Sequence, residues 1–342
     1  MGPQKTDVLI IGGGIAGLTI SKYLAEERID FILVEDHTDF FMKSCGECIT
    51  YSMAGYEFYE IYESKVGIER TTNIILRIKH GKISVPVTNI LVDKKKIENE
   101  LARQAEKKGA IILMNERVSR IERKERKLVA FPQGIEAKLI VGADGISSIV
   151  RRYTAQEMPR YGIASSGILE EKPEEQDRCI VDFSKKTAPY GYAWWFPKEK
   201  NWNIGIGTTR KKYFKDCLSK FKEKYPTVMR WRTGIVPLSK PLKSYDKNII
   251  LVGDSASQVV APTATGILPA MICAKIGAET LVKFSKSNFE NVDTSLYEKA
   301  WKLKIGKIFD DCYLFNKIYM RIYFSEYLTH QFLRLVGKLY KE

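Results

Sequence analysis

The stretch TDVLIIGGGIAGLTISKYLAEERIDFILVE, close to the N-terminus, constrains this chain more than any other. Residues 8–11 form a continuous apolar run, the pattern of a parallel strand covered on both faces. Gly12-Gly13-Gly14-Ile15-Ala16-Gly17 then supplies G-x-G-x-x-G. The spacing predicts a helix over 15–27 and a second strand over 31–34 that ends at Glu35. The glycines alone are weak evidence, but strand, glycines, helix, strand and terminal acid in that order specify a dinucleotide-binding βαβ unit. Gly12 allows the tight turn, Gly14 lets a pyrophosphate approach the backbone, and Gly17 lets helix and strand pack closely. The helix N-terminus offers its N–H groups to phosphate, and Glu35 stands where it can accept hydrogen bonds from a ribose. These residues leave FAD and NAD equally open.

Farther along, the pattern predicts a helix over 94–108, a buried strand over 110–114, and strand-like pieces at 127–131 and 139–141 that lead into GADG at 142–145. From about 163 to 236 the texture changes to short alternating runs (CIVDF, YAWWF, NIGIG), the sign of an antiparallel sheet. NIILVGDSAS at 248–257 restores the buried strand-to-turn pattern, and a helix is expected over 267–284. With 342 residues, 44% of them hydrophobic and 28% charged, the chain is long enough for two packed regions.

The net charge of +14 favours anionic partners, although Lys and Glu scattered along the whole chain also describe an ordinary solvated surface. No nucleic-acid-binding module is recognisable, so no nucleic acid partner is expected. Six cysteines do not make a disulfide framework in a chain of this size. Cys45 and Cys48 form a Cys-x-x-Cys, but His37, His80 and His330 stand at no ligand spacing, so no metal centre is expected. Spacing alone leaves a redox dithiol and other roles open. Residues 255–274 lack charge over the length of a membrane span, yet two prolines, a glycine and many hydroxyls argue against a lipid-buried helix. No transmembrane helix is expected, and the setting expected is cytoplasmic.

The N-terminal fingerprint, GADG at 142–145 and Gly253-Asp254 together resemble the FAD-binding domain of the p-hydroxybenzoate-hydroxylase-like flavoproteins, over roughly residues 7–284. That resemblance selects FAD. YGYAWWFPKEKNWNIGIG narrows it: Tyr192-x-Trp194-x-Phe196-Pro197 followed by Gly205-x-Gly207 is similar to the Y-x-W-x-F-P…G-x-G signature of geranylgeranyl reductases, which saturate isoprenoid chains. That family carries Cys-Gly near the flavin shortly after the second strand, where KSCGEC stands here. The resemblance therefore implies that Cys45 and Gly46 contact flavin, with Cys48 beside them. It also implies FAD contacts at Gly12, Gly14, Ala16, Gly17, Glu35, Lys94, Val118, Asp254, Gly266 and Ile267, and a substrate wall of Tyr192, Trp194 and Phe196. This chain departs from the family at Cys48, where glycine is usual, and at Lys94, where arginine is usual. It departs again after Asp254, where Pro262 is shifted by one position and Ala264 replaces a glycine.

The expected fold is α/β: a Rossmann-type FAD-binding domain of the GR2-like kind (1–72, 92–155 and 245–290), an inserted antiparallel β-sheet substrate domain (73–91 and 156–244), and a short helical C-terminal tail (291–342). The expected activity is FAD-dependent saturation of C=C bonds in isoprenoid chains of archaeal-type membrane-lipid precursors or of quinone tails. An isolated alkene is a poor hydride acceptor, so an acid near the flavin is needed, and Cys45 is the candidate catalytic residue. A regulatory disulfide between Cys45 and Cys48 is the competing use of those thiols. The electron donor stays open between a ferredoxin-like protein and NAD(P)H. In the tail, Leu314, Ile318, Ile322, Leu328, Phe332 and Leu335 fall at helical spacing beside Lys317, Arg321, Arg334, Lys338 and Lys341. They suit either packing on the body or peripheral contact with an anionic membrane. Alternatives on the same resemblance are a flavin monooxygenase or halogenase, and a non-catalytic isoprenoid-binding or electron-transfer flavoprotein.

Overall fold

The computed structural model of the chain describes residues 4–41, 43–78, 81–171, 178–261 and 263–339; His80 and Pro262 lie outside them. Along the chain run β1 (Lys5–Ile11), α1 (Ile15–Glu26), β2 (Phe31–Val34), β3 (Cys48–Thr50), β4 (Ser52–Met53), β5 (Tyr56–Glu57) and α2 (Phe58–Tyr62). Then come β6 (Ile68–Ile78), β7 (Gly81–Val92), α3 (Lys94–Lys107), β8 (Ile111–Leu113), β9 (Arg120–Lys124), β10 (Lys127–Phe131), β11 (Ile135–Gly142) and α4 (Ile149–Tyr153). The second half holds β12 (Tyr161–Leu169), β13 (Arg178–Asp182), β14 (Gly191–Pro197), β15 (Trp202–Thr208), α5 (Lys211–Lys224), β16 (Trp231–Pro237), β17 (Tyr245–Asp246) and β18 (Ile249–Leu251). It ends in α6 (Ile267–Ser285), α7 (Ser295–Trp301), a π-helical turn, α8 (Lys307–Ile322) and α9 (Glu326–Leu339).

The first sheet has the path β17-β18-β11-β1-β2-β8, with β9 and β10 added beyond β11. β1 pairs in parallel with both β11 and β2. Alternation divides β1 between two cores. Val8 and Ile10 pack with Leu18, Leu24 and Met271 on the α1–α6 side, whereas Leu9 and Ile11 pack with Ile32, Val34 and Ile140 on the other. Burial on both faces is why the strand reads as an uninterrupted apolar run. Asp93 caps α3 by accepting from Lys96 N at 3.1 Å, Ile97, Leu101 and Ala105 give the helix its buried stripe, and Gly109 at φ +93 turns the chain away after it.

The second sheet runs β16-β12-β15-β14-β13-β6-β7-β3. It is antiparallel except where β13 meets β6. That parallel pair, and helix α5 inside the stretch expected to form an antiparallel sheet, depart from the sequence reading. In α5, Phe214, Cys217 and Phe221 supply the buried stripe, and Cys217 and Phe221 pack with Ala193, Ile204 and Ile206. The opposite face of the sheet gathers Leu91, Cys179, Val181, Trp194 and Phe196. At the C-terminal end the buried stripe is Phe309, Cys312, Tyr319, Tyr323 and Leu333. Leu314, Ile318, Leu328 and Leu335 remain exposed, so the stripe that packs is offset from the one the sequence suggested. Tyr323 fixes the offset: its ring stacks on Tyr190 at 4.2 Å and its hydroxyl accepts from Tyr190 N at 2.6 Å.

Candidate active site

At one end of the site the backbone does the work. Gly12 has φ +106, and a Cβ there would lie 2.5 Å from the Ala143 carbonyl oxygen, so the turn out of β1 admits only glycine. α1 begins after Gly14 with no side-chain cap, and the space beside Gly14 is open. Its first N–H groups are the free, positively polarised end of a helix, suited to a pyrophosphate. Gly17 presses against the Gly12 carbonyl, and Ala16 faces Gly253. Glu35 reaches back from β2 to accept Gly13 N at 2.6 Å, while its other oxygen meets His37 Nδ1 at 2.5 Å.

Asp254 follows β18 in a single 3-10 turn (Gly253–Ala256). Gly266 caps α6 so close that a Cβ on it would lie 3.7 Å from Asp254 Oδ1. Ile267 opens that helix. Two helix N-termini therefore open near the carboxyl ends of β1 and β18, where ligands of such sheets bind. The Val118 side chain is in the core beside Val34 and Ile121, which leaves its backbone for any ligand contact. Asp144 of GADG is turned inward, accepting from Ile149 N (2.6 Å) and Val150 N (3.2 Å) at the start of α4. Burial pushes its carboxyl pKa up. These features fit a dinucleotide cofactor.

At the other end lies Cys45-Gly46-Glu47-Cys48. Glu47 sits at φ +57 with its carboxylate buried and fully engaged. It accepts Lys94 N at 2.8 Å and Asn203 Nδ2 at 3.1 Å, and it pairs with Lys198 Nζ at 3.2 Å. Asn203 Nδ2 also donates to the Cys45 carbonyl at 2.9 Å, while its oxygen accepts Trp194 Nε1 at 3.1 Å. One buried amide thus ties the cysteine loop to the aromatic strand. A Cβ on Gly46 would stand 2.8 Å from the Phe196 ring, so only glycine lets the loop lie against it. Burial pushes the Cys45 thiol pKa up, the Lys94 charge opposing and the Glu47 charge adding. For Lys94, burial alone would lower the pKa, but buried Glu98, with which it pairs, together with Cys45 and Glu47 outweighs this and pushes it up.

Tyr192, Trp194 and Phe196 share one face of β14; Trp195 takes the other and packs on Phe221 and Tyr225. Gly205, directly across from Trp194, makes room for its indole, because a Cβ there would enter the ring. Tyr192 donates to the Thr263 carbonyl at 2.7 Å, and burial pushes its phenol pKa up. Cys45, Gly46, Cys48 and Lys94 thus gather with the aromatic face, while the glycines, Glu35, Asp254, Gly266 and Ile267 gather at the helix ends. Lys43, just before the cysteine loop, pairs with Asp254 and links the two groups. Lys43, Glu47, Lys198 and Asn203 were missed in the sequence. Only Asn203 had a usable signal: a hairpin register pairing Trp194 with Gly205 also sets Phe196 opposite Asn203.

Residues 162–236 match the family model described as the geranylgeranyl reductase catalytic domain, and residues 10–58 that of the NAD(P)-binding Rossmann-like domain. Among relatives, a digeranylgeranylglycerophospholipid reductase of Methanocaldococcus jannaschii is 28% identical over 329 residues, covering 87% of this chain and 82% of its own. One from Methanothermobacter thermautotrophicus is 27% identical, covering 92% and 88%. Among solved structures, a geranylgeranyl bacteriochlorophyll reductase-like protein from Thermoplasma acidophilum superposes with a TM-score of 0.81 at 21% identity, covering 100% of this chain and 92% of that one. A probable FAD-dependent monooxygenase from Pseudomonas aeruginosa follows at 0.73 and 14%, covering 96% and 100%. At these identities the two structures speak for the fold alone.

Proposed function

We propose that this chain, geranylgeranyl-reductase-like in its matched catalytic segment, is an FAD-dependent oxidoreductase that saturates C=C bonds of isoprenoid chains. The observation that carries the reading is that the aromatic face of that segment lies against Cys45 and Gly46, which Lys43 joins to the dinucleotide end. Gly12, Gly14, Ala16 and Gly17 would hold the FAD pyrophosphate, Glu35 the adenosine ribose, and Asp254 with Gly266 and Ile267 the flavin side. When bound and reduced, FAD supplies the hydride. The chain supplies the rest.

Saturating an isolated alkene also needs a proton. Cys45 is the acid we assign: burial keeps the proton on its sulfur, and Lys94 stands near enough for its charge to favour the thiolate once that proton leaves. The π-faces of Trp194 and Tyr192 can stabilise positive charge developing on the substrate. Leu91, Val181 and Phe196 complete an apolar wall that excludes water.

The substrate class is an isoprenoid lipid, and a membrane-lipid precursor is the natural bearer of such a chain. No helix among the described residues is long and apolar enough to cross a membrane. The exposed Leu314, Ile318, Phe324, Tyr327 and Leu328 on and between α8 and α9 are interspersed with Lys317, Arg321 and Arg334. That mixture suits the interface of an anionic bilayer. Retention in the supernatant with anionic vesicles would remove that part of the reading. Electrons would come from a ferredoxin-like protein or NAD(P)H. The decisive test of the activity is anaerobic incubation of the reduced holoprotein with a digeranylgeranyl lipid. Products gaining two hydrogens per double bond support the reading; an oxygen-dependent product alone, or unchanged lipid, overturns it.

A further inference from the structure

We infer that Cys48 and Cys179 form a modification site, a thiol pair that a low-molecular-weight disulfide oxidises to an internal disulfide beside the apolar wall proposed above as one side of the substrate slot. Strand order hides this pair. β3 and β13 are separated by β7 and β6, so in a flat sheet they would lie about 14 Å apart, three strand spacings. Their sulfurs are 3.9 Å apart. The sheet therefore curls until its edge strand returns over β13.

The Cys-x-x-Cys spacing suggested a different partner. Cys45 is turned to the Glu47 N–H, which its sulfur accepts at 3.3 Å, whereas the Cys48 sulfur meets Cys179. All six cysteines are free. Cys217 belongs to the α5 side of the sheet, and Cys273 and Cys312 to the α1–α6 core. Cys48 packs against the cluster that holds Cys179, Trp194 and Phe196, and there the two sulfurs meet.

The chemistry balances with a small disulfide RSSR. Cys48, the more exposed of the two, loses its proton and attacks one sulfur, expelling a first RS⁻ that takes up that proton. Cys179 then displaces the second RS⁻ from the mixed disulfide and gives up its own proton to it. Two S–H bonds are lost, one S–S bond forms, and the oxidant leaves as two thiols. Burial, then the contact with Cys48, holds the Cys179 thiol well above the ordinary range, which leaves the first attack to Cys48; the second attack is intramolecular, across the 3.9 Å contact. Closure needs the sulfurs to move from 3.9 Å to about 2.05 Å. The bond would fasten the edge strand over the aromatic face and narrow the slot.

The test treats holoprotein with oxidised glutathione and maps peptides without reduction. The expected product joins Cys48 to Cys179, is two hydrogens lighter than the reduced pair, and lowers the thiol count of the denatured protein by two. Cys179→Ser should stop at the glutathione adduct on Cys48. A Cys45–Cys48 link, a lasting adduct on Cys48 in the unaltered chain, or an unchanged thiol count would overturn the assignment. Lipid turnover of the unaltered chain should fall at least tenfold as the Cys48–Cys179 peptide accumulates and return as dithiothreitol removes it, whereas Cys179→Ser should yield no internal link at any glutathione concentration. A cross-linked protein with full turnover would overturn the slot-narrowing. The link is read without substrate, so it stands or falls apart from the reductase reading.

Discussion

The two sheets solve opposite problems with opposite means. The parallel sheet offers a ligand its backbone: Gly12 at φ +106, the uncapped start of α1 and the start of α6. The curled sheet offers side chains, with Trp194, Phe196, Leu91 and Val181 on one face. A charged, invariant cofactor is well served by N–H groups at a helix end. A long apolar chain has nothing to hydrogen-bond and is held by packing alone. Between the halves lies Glu47, whose carboxylate joins α3, β15 and the turn after β14.

Changes on the backbone side should act through the cofactor. Gly17→Val sets a side chain against the Gly12 carbonyl and should weaken FAD binding roughly a hundredfold, about 3 kcal/mol, in a titration of apoprotein followed by flavin fluorescence. Unchanged affinity would show that the glycine turn is not the cofactor's seat. At the junction, Glu47→Ala leaves buried Lys198, among the described residues, with Glu69 and the Val92 carbonyl. Urea unfolding should show a loss of about 3 kcal/mol.

Trp194 and Trp195 sharpen the comparison, being adjacent on one strand and facing opposite ways. Each donates one indole hydrogen bond, to Asn203 at 3.1 Å and to Tyr225 at 2.9 Å. Trp194→Phe and Trp195→Phe should each cost about 1–2 kcal/mol. Only Trp194→Phe should lower lipid turnover, roughly tenfold, on the order of 1.4 kcal/mol in the barrier. Equal effects on turnover would mean that the slot is not on the Trp194 face.

Burial raises the Cys45 pKa above its unfolded value. Its contribution to stability is therefore present below the ordinary thiol range and is lost as pH rises through it to the folded value. Its alkylation by iodoacetamide should need higher pH than a free cysteine does. The smallest effect expected is at Ala264, which holds φ +55 where the resembling family has glycine. Ala264→Gly should stabilise the fold by about 0.5–1 kcal/mol in thermal unfolding.

What could be read in advance follows the same division. Gly12, Gly14, Gly17 and Glu35 lie within one short run, because a βαβ unit encodes its geometry locally, and β2 begins and ends where the sequence placed it. Helix α3 ends one residue earlier than expected, at Lys107. The slot is different. Cys48, Leu91, Cys179 and Trp194 come together only because eight strands curl, and no local spacing announces a contact between residues 48 and 179. Glu47 is one of the two unspecified positions of Cys-x-x-Cys, and its role shows only once Lys198 and Asn203 are folded onto it. Tail burial was misplaced by part of a turn, because the aromatic pairing of Tyr323 with Tyr190 overrides the aliphatic periodicity.

Whether slot and cofactor meet at Cys45 and Gly46 is tested most directly by anaerobic flavin reoxidation. Holoprotein is reduced until its visible absorbance is bleached, and a polyunsaturated isoprenoid lipid is then added without oxygen. Recovery of the oxidised flavin spectrum, dependent on the lipid's double bonds and slowed in Trp194→Phe, is the predicted result. A flavin that stays bleached until air is admitted would contradict it.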